Sequence, residues 1–409
     1  MSETSNIVIA GAGHAGGSAA AFLRQFGWTG AITLVGEEPL APYQRPPLSK
    51  AWLKGEASAE SLALRPLGFY ADSAIVLRLG RRVDSIDRSS RTVTLDTRET
   101  LAYGHLILAL GSRLRQLPVP GADLEGVLEL RTAADADRIK AALEPGLRLA
   151  VVGGGYIGLE VAASARALGA AVTVIEREER LLARVASAGL SQFFQSTHAA
   201  KGVEILLGAN VAALEGAAGR VSGVRLGDGR LVACDAAIIG VGALANDAMA
   251  AAAGLACNDG IIVDLSARTS DPNIFAIGDC TRRPLPHYQR LARLESVPNA
   301  LEQARQAASA ICGRPAPAPD VPWFWSDQYD VKLQMAGMPF DVAGAVTRGD
   351  PAKSRFAIFL LDAAGAIQAV EAINAPAEFM AGRQLIANRR IIGSERLANP
   401  TISMKELIA

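Results

Sequence analysis

Ile7-Val8-Ile9-Ala10-Gly11-Ala12-Gly13-His14-Ala15-Gly16 lies near the start of the chain, and Leu149-Ala150-Val151-Val152-Gly153-Gly154-Gly155-Tyr156-Ile157-Gly158 repeats its plan about one domain later. Each copy is an apolar run, a Gly-x-Gly-x-x-Gly loop and an alanine-rich helical stretch. Short apolar runs bounded by glycine predict buried strands. The glycines permit a tight turn and let the backbone approach a pyrophosphate, which then sits at the helix N-terminus. A second strand follows each loop and ends in an acid. Ala31-Ile32-Thr33-Leu34-Val35-Gly36 ends in Glu37, and Ala171-Val172-Thr173-Val174-Ile175 ends in Glu176. Both acids lie a little beyond the roughly 20 residues expected for a carboxylate on an adenosine ribose. Two complete copies predict two bound dinucleotides with electrons passing between them.

The chain has 409 residues, enough for two or three domains, and half of them are apolar, enough for a large core. Its formal net charge is zero, which argues against nucleic acid or an anionic membrane as main partner. A secretory signal does not fit, because the first strand begins at Ile7. No apolar run reaches the roughly 18 residues of a spanning helix. The expected location is cytoplasmic. The four cysteines, Cys234, Cys257, Cys280 and Cys312, form no Cys-x-x-Cys pair, so neither a metal site nor a redox disulfide is expected. His14, His105, His198 and His287 are scattered and are expected as surface or loop residues rather than ligands.

Alternating strands and helices predict an α/β protein with two doubly wound nucleotide-binding domains. The first ends in Leu106-Ile107-Leu108-Ala109-Leu110-Gly111 and the second in Ala236-Ala237-Ile238-Ile239-Gly240-Val241-Gly242. This shared ending has the form of an internal duplication. Ile274-Phe275-Ala276-Ile277-Gly278-Asp279 predicts a further strand that carries a carboxylate to its C-terminal end, where ligands bind in such sheets. Residues 299–312 read as a helix ended by Gly313, and Pro315-Ala316-Pro317-Ala318-Pro319 as a stiff linker. Residues 323–409 read as a smaller α+β module with strands such as Phe356-Ala357-Ile358-Phe359-Leu360-Leu361 and a final helix.

The first loop together with Gly278-Asp279 points to FAD, with Asp279 accepting a hydrogen bond from the ribitol; a turn or helix-capping role is the alternative for Asp279. The second loop, with Tyr156, Ile157 and the closing Gly242, points to a nicotinamide nucleotide. Glu176 favours NADH, since a carboxylate repels the 2′-phosphate of NADPH, although the neighbouring Arg177 and Arg180 could accommodate that phosphate. Pro46-Pro47-Leu48-Ser49 stiffens the chain ahead of Lys50 and an expected helix. Glu160 lies two residues past Gly158. Lys50 and Glu160 are either a charged pair beside the reacting ring edge or two unrelated surface charges. Flavin chemistry requires no protein nucleophile, so the lack of a catalytic Cys or His fits it. Arg282, Arg283, Arg290, Arg293, Arg305 and Arg314 face only Glu295 and Glu302 over the same stretch. They form either a patch for an acidic partner or a solvated face. Trp323-Phe324-Trp325 either covers the flavin edge or packs between domains.

These motifs resemble the FAD- and NADH-dependent ferredoxin reductases of bacterial oxygenase systems, the putidaredoxin-reductase-like and aromatic-ring-dioxygenase-reductase-like flavoproteins. The likeness runs nearly end to end. It rests on both loops, Arg45-Pro46-Pro47-Leu48-Ser49-Lys50, Leu159-Glu160, Ala276-Ile277-Gly278-Asp279-Cys280, Glu295-Ser296-Val297-Pro298-Asn299-Ala300 and Trp323-Phe324-Trp325-Ser326-Asp327-Gln328. The glycine loops are shared with the wider glutathione-reductase-like superfamily; the last two stretches are distinctive. The resemblance implies an FAD domain over residues 1–110 and 241–318, split by an NAD domain over 111–240, and a C-terminal α+β domain over 319–409. It implies FAD contacts at Ala15, Glu37, Arg45, Lys50, Val83, Arg131, Gly278, Asp279 and Val297, with Val297 just ahead of the Asn299 helix. It implies that Lys50 and Glu160 pair. It also implies that a [2Fe-2S] ferredoxin takes the electrons to a cytochrome P450 or a Rieske oxygenase, with Arg65 and Arg305 as docking candidates. Two features depart from the family pattern. Ala109-Leu110-Gly111 replaces the usual Ala-Thr-Gly, removing a hydroxyl, and Val297 stands where some relatives have Trp. Competing expectations are a flavin-dependent NADH oxidase, a small-molecule reductase, or a flavoprotein whose redox state controls binding to a partner. Oxidases, peroxidases and disulfide reductases of this superfamily need a cysteine after the first loop helix, and residues 42–50 contain none.

Overall fold

A computed structural model describes residues 6–408. Residues 1–5 and 409, which close the expected first and last domains, lie outside the described residues. The chain divides into two compact units, one of residues 6–44, 59–113 and 244–322, the other of 45–58, 114–243 and 323–408.

The first unit is built on a parallel five-stranded sheet. Its spatial order is Ile274–Ala276, His105–Leu108, Ile7–Ala10, Ile32–Gly36 and Ile75–Leu79. The chain leaves Ile7–Ala10 towards both edges, so the first glycine loop sits at the point where strand order reverses. Both sheet faces are covered, which is why the strands read as unbroken apolar runs. Side chains alternate. Ile7 and Ile9 join one core with Ala19, Leu23, Phe275, Ala304 and Ala308, while Val8 and Ala10 join another with Val35, Leu106, Leu108 and Leu95. Helices His14–Gln25 and Val297–Ile311 meet over the first face through the fully buried Ala19, Ala20, Ala304, Ala307 and Ala308. Small residues at that seam let the two backbones approach.

The second unit repeats the plan in the order Glu204–Leu206, Ala171–Ile175, Arg148–Val152, Ala236–Ile239 and Val127–Leu128, all parallel. The second loop leaves Val152 at the equivalent switch. The antiparallel strands Val211–Ala217, Arg220–Leu226 and Leu231–Ala233 flank it. The same unit holds an antiparallel sheet in the order Trp323–Gln328, Val331–Gly337, Ile367–Ile373, Arg355–Leu361 and Gly344–Asp350. Helix Pro376–Ala387 packs on it so closely that a Cβ on Gly382 would meet Val370 at 2.4 Å. The two parallel sheets and the C-terminal α+β module agree with the fold class expected from the sequence. No helix among the described residues is long and apolar enough to cross a membrane.

Four local expectations need correction. No helix follows Lys50 directly. Pro46–Ser49 is itself one 3-10 turn, since prolines fit its first positions and need no N–H there, and further turns end at Gly55, where φ is +74°. The helix expected from Asn299 begins at Val297, because Ser296 caps it and Pro298 fits its first turn. His198 is not a surface residue but fully buried in helix Ala188–Ala200, with both ring nitrogens hydrogen-bonded. Arg283 leaves the expected arginine face and is buried at 2% exposure. Its guanidinium is held by Asn299 Oδ1 at 3.0 Å and by both oxygens of Glu302, at 2.9 and 3.0 Å.

Candidate cofactor sites and the Lys50–Glu160 pair

Steric need accounts for the first loop. Gly11 has φ +114°, and a Cβ there would lie 2.1 Å from Ala109 O. A Cβ on Gly16 would lie 1.9 Å from Gly11 O. Gly13 is different, with no atom within 4 Å of its Cβ position. The outer glycines are required by the protein's own packing, whereas the middle one opens a space that a side chain would fill. That space adjoins the start of helix His14–Gln25, which has no side-chain cap. The arrangement fits a pyrophosphate accepting bonds from backbone N–H groups. His14 Nδ1, buried at the same turn, has no hydrogen-bond partner. Burial, then Arg65, holds the His14 pKa below its usual value against the opposing pull of Asp279. Glu37 follows its strand with its side chain 73% exposed and Arg82 3.7 Å away.

Gly278 and Asp279 sit in a 3-10 turn just after strand Ile274–Ala276. A Cβ on Gly278 would approach Ala15 Cβ to 3.1 Å, so this turn lies against the first loop helix. Asp279 accepts a hydrogen bond from Ser112 Oγ at 3.2 Å. Sequence reasoning missed what supports it. Gln303 Oε1, buried in helix Val297–Ile311, accepts from Gly278 N at 2.8 Å and from Asn299 Nδ2 at 3.2 Å, with Thr281 Oγ1 at 2.9 Å. Asn299, Gln303 and Gln306 recur at helical spacing, and that periodicity was the available signal. Val297 is the first residue of this helix, and Val83 is buried in strand Val83–Asp87.

The second loop repeats the steric logic. A Cβ on Gly153 would lie 2.3 Å from Gly240 O, one on Gly158 2.3 Å from Gly153 O, and none would touch anything within 4 Å at Gly155. Its acid differs. Glu176 is half-buried and accepts from Gly154 N at 2.6 Å and Glu178 N at 2.8 Å. The arginines beside it differ: Arg177 is exposed, whereas Arg180 is held in place. Arg177 pairs with Glu178 at 2.8 Å, and Arg180 donates to Ala183 O, Ala186 O and Ser191 Oγ at 2.8, 2.9 and 2.6 Å. Ile157 is 51% exposed on the first helical turn, and Tyr156 OH points to Met335 Sδ at 3.0 Å. Gly242 closes the last strand's loop with φ +109°, near Arg184.

Lys50 and Glu160 do pair, both within the second unit, at 2.6 Å. Glu160 is 3% exposed and Lys50 17%. Glu160 Oε2 also accepts from Ser49 Oγ at 2.5 Å, and Oε1 from Ser326 Oγ at 2.6 Å. Ser164 Oγ donates to Ser49 O at 2.8 Å and so ties the Pro46–Ser49 turn to the helix that carries Glu160. A buried carboxylate is tolerated only when paired and hydrogen-bonded, and here it has three donors. Arg45 donates to Arg131 O nearby, and Arg131 N is held by Asp135 at 3.1 Å.

Trp323 meets Phe379 edge-on and lies tilted against Trp325, both with centroids 5.7 Å away, under the Arg383 guanidinium, and Phe324 meets Tyr156 edge-on at 4.8 Å. Arg65 and Arg305 are both exposed in the first unit, Arg65 over the Phe69 ring. All four cysteines are free thiols; burial pushes Cys234 up to about 11 and Cys280 up to about 12. Neither is a thiolate near neutral pH.

Known proteins place this geometry in a family. Residues 5–304 match the pyridine nucleotide-disulphide oxidoreductase family, and residues 323–408 match the reductase C-terminal family. Over 408 residues, covering all of both chains, the sequence is 50% identical to a probable ferredoxin reductase, CtmF, of Castellaniella defragrans. It is 44% identical to rhodocoxin reductase of Rhodococcus erythropolis, over 99% of this chain and 94% of that one. The structure superposes with a TM-score of 0.96, at 40% identity and 98% coverage of each chain, on the crystal structure of a covalent putidaredoxin reductase–putidaredoxin complex. The chain therefore belongs to the pyridine nucleotide-disulphide oxidoreductases and, within them, to the FAD- and NAD(H)-dependent ferredoxin reductases.

Proposed function

We infer that the protein draws electrons from NADH and delivers them to a [2Fe-2S] ferredoxin serving a cytochrome P450 or Rieske oxygenase. The observation that carries this is the doubled loop, each with its outer glycines closed by backbone and its middle glycine open, in a chain alike end to end to ferredoxin reductases. FAD, when bound, supplies the exchange between two-electron and one-electron chemistry. The protein binds, orients and insulates. We assign Gly11, Gly13, Ala15, Gly16, Glu37, Val83, Gly278, Asp279 and Val297 to FAD; the resemblance adds Arg45, Lys50 and Arg131. Gly153, Gly155, Tyr156, Ile157, Gly158, Glu176 and Gly242 are assigned to the nicotinamide nucleotide. Glu176 favours NADH, since its carboxylate would repel a 2′-phosphate, and Arg180 is held by Ala183 O, Ala186 O and Ser191 Oγ. Lys50 and Glu160 fix opposite charges at the reacting site without exchanging protons. The proposed domains are 1–110 with 241–318 for FAD, 111–240 for NAD and 319–409 as the C-terminal domain. We place the protein in the cytoplasm, alongside its NADH supply.

The test is anaerobic stopped-flow reduction of the flavin-loaded protein by NADH, followed by mixing with a [2Fe-2S] ferredoxin. Rapid flavin bleaching and then reoxidation as the ferredoxin reduces is the expected result. Bleaching without transfer to any ferredoxin would move the protein to a small-molecule acceptor or a redox-controlled binding role. Arg65 and Arg305 are proposed for docking. Arg305→Glu is expected to raise the ferredoxin KM about tenfold while flavin reduction by NADH stays intact. Equal loss of both would mean the substitution had damaged the fold.

A further inference from the structure

Glu160 is the end of a longer chain of hydrogen bonds, all within the second unit. Its Oε1 accepts from Ser326 Oγ at 2.6 Å. Ser326 Oγ accepts from Gln328 Nε2 at 3.2 Å, and Gln328 Oε1 meets His198 Nε2 at 2.8 Å. His198 Nδ1 meets Tyr329 OH at 3.1 Å. Ser326, Gln328 and His198 are each at most 1% exposed. Water therefore cannot replace a lost partner cheaply.

The polarity of the chain follows from its first member. Glu160, paired with Lys50 through Oε2, accepts through Oε1, so the single Ser326 hydroxyl proton points at Glu160. Ser326 then accepts from the next residue, which must be the Gln328 amide nitrogen. The Gln328 carbonyl is left facing His198, which requires the proton on His198 Nε2. Nδ1 of the same neutral ring is then an acceptor, and the Tyr329 hydroxyl supplies the donor. Burial favours this state at the His198–Tyr329 end. It lowers the His198 pKa, against the Gln328 hydrogen bond that raises it, and lifts Tyr329 to about 12. Tyr329 reaches the ring from a turn position with φ +55°, a backbone conformation costly for a tyrosine. Lys201 lies over its ring at 5.5 Å. Four donors thus line up head to tail towards one carboxylate, and aligned hydrogen bonds polarise one another. An amide stands in the middle, so the arrangement orients and polarises rather than conducting protons.

We propose that Ser326, Gln328 and His198 are positioning residues that hold the Glu160 carboxylate aimed at Lys50, so that strand Trp323–Gln328 of the C-terminal module helps set the charge pair serving electron transfer from NADH. This rests on the reading of Lys50 and Glu160 given above. Its reach is specific: Ser326 and Gln328 act through Glu160, not on substrate.

The experiment combines a double-mutant cycle with a spectroscopic readout in the FAD-loaded protein. Flavin reduction by NADH is timed for Ser326→Ala, Glu160→Gln and the double variant. The 13C resonance of the Glu160 carboxyl, assigned by its loss in Glu160→Gln, is followed in Ser326→Ala and in Gln328→Met, which keeps the shape of the side chain and removes the amide. Ser326→Ala is expected to slow reduction about tenfold, the scale of one hydrogen bond to a charged group. The double variant is expected to be no slower than Glu160→Gln alone, and the Glu160 resonance to move in both Ser326→Ala and Gln328→Met. Effects of Ser326→Ala and Glu160→Gln that multiply, or a resonance that stays in place, would overturn the proposal. An unchanged rate in Glu160→Gln would instead overturn the reading of the Lys50–Glu160 pair itself, whatever the resonance does.

Discussion

The two glycine loops meet one steric demand and then diverge. At Gly11 and Gly153 a side chain would strike a carbonyl oxygen of the neighbouring strand end, and at Gly16 and Gly158 one in the loop itself. At Gly13 and Gly155 it would strike nothing. Beyond this frame the loops exchange bulk. The first has Ala12 facing Gly36, where a Cβ would come within 2.4 Å; the second has Gly154, where a Cβ would come within 3.0 Å of the Glu176 carboxylate. Two residues past the last glycine the first helix buries Ser18 and the second buries Glu160. The first loop is thus a bare backbone cradle whose acid, Glu37, stands in solvent. The second is bound into its acid, and its helix carries a buried charge. The steric frame is common to both loops, and they differ in the residues around it.

Alanine substitutions at the outer glycines should separate the loops most sharply. Gly11→Ala is expected to yield protein purified without flavin. Gly153→Ala should keep its flavin and raise the NADH KM about a hundredfold, which corresponds to roughly 2.8 kcal/mol. Flavin content by absorbance and steady-state kinetics would show it, and loss of flavin from Gly153→Ala would break the division of labour. The middle glycines sharpen the same comparison. Gly13→Ala and Gly155→Ala meet no protein atom, so thermal unfolding should stay near wild type while each weakens its own cofactor about tenfold. A large fall in Tm would mean that the open space is needed for folding rather than for a ligand.

The acids come next. Glu176→Ala combined with a basic substitution at Arg177's neighbour Glu178 should shift the NADH/NADPH ratio of kcat/KM about tenfold towards NADPH; an unchanged ratio would remove Glu176 from its role. Glu37→Ala should have the smallest effect. An exposed carboxylate gains little from a hydrogen bond, so FAD binding is expected to weaken only about fivefold, near 1 kcal/mol. Fluorescence of released flavin measures it, and a loss as large as that of Gly11→Ala would place Glu37 on a par with the loop.

Much of this is legible in the sequence, and for a physical reason. Whether residue 11 or 153 can carry a side chain depends on the turn it makes, and the alternation of Ile7 to Ala10 depends on a sheet covered on both faces. Such demands are written in neighbouring residues. Lys50 and Glu160 could be singled out by position, yet whether they met or were two surface charges was undecided by spacing alone. His198 and Arg283 are buried where their polarity argues for the surface, because their partners, Gln328 and Glu302, are respectively 130 and 19 residues away.

The sequence by itself determined the doubled nucleotide-binding plan and the strand that ends in the Gly278-Asp279 turn, since each is a property of a short stretch and its spacing. Only the tertiary structure decided that Glu160 collects donors from Ser49 and Ser326, 111 and 166 residues away, and that Gln303 anchors the turn carrying Asp279. A buried polar atom must find a partner wherever the packing brings one, and no local periodicity records which distant residue that is.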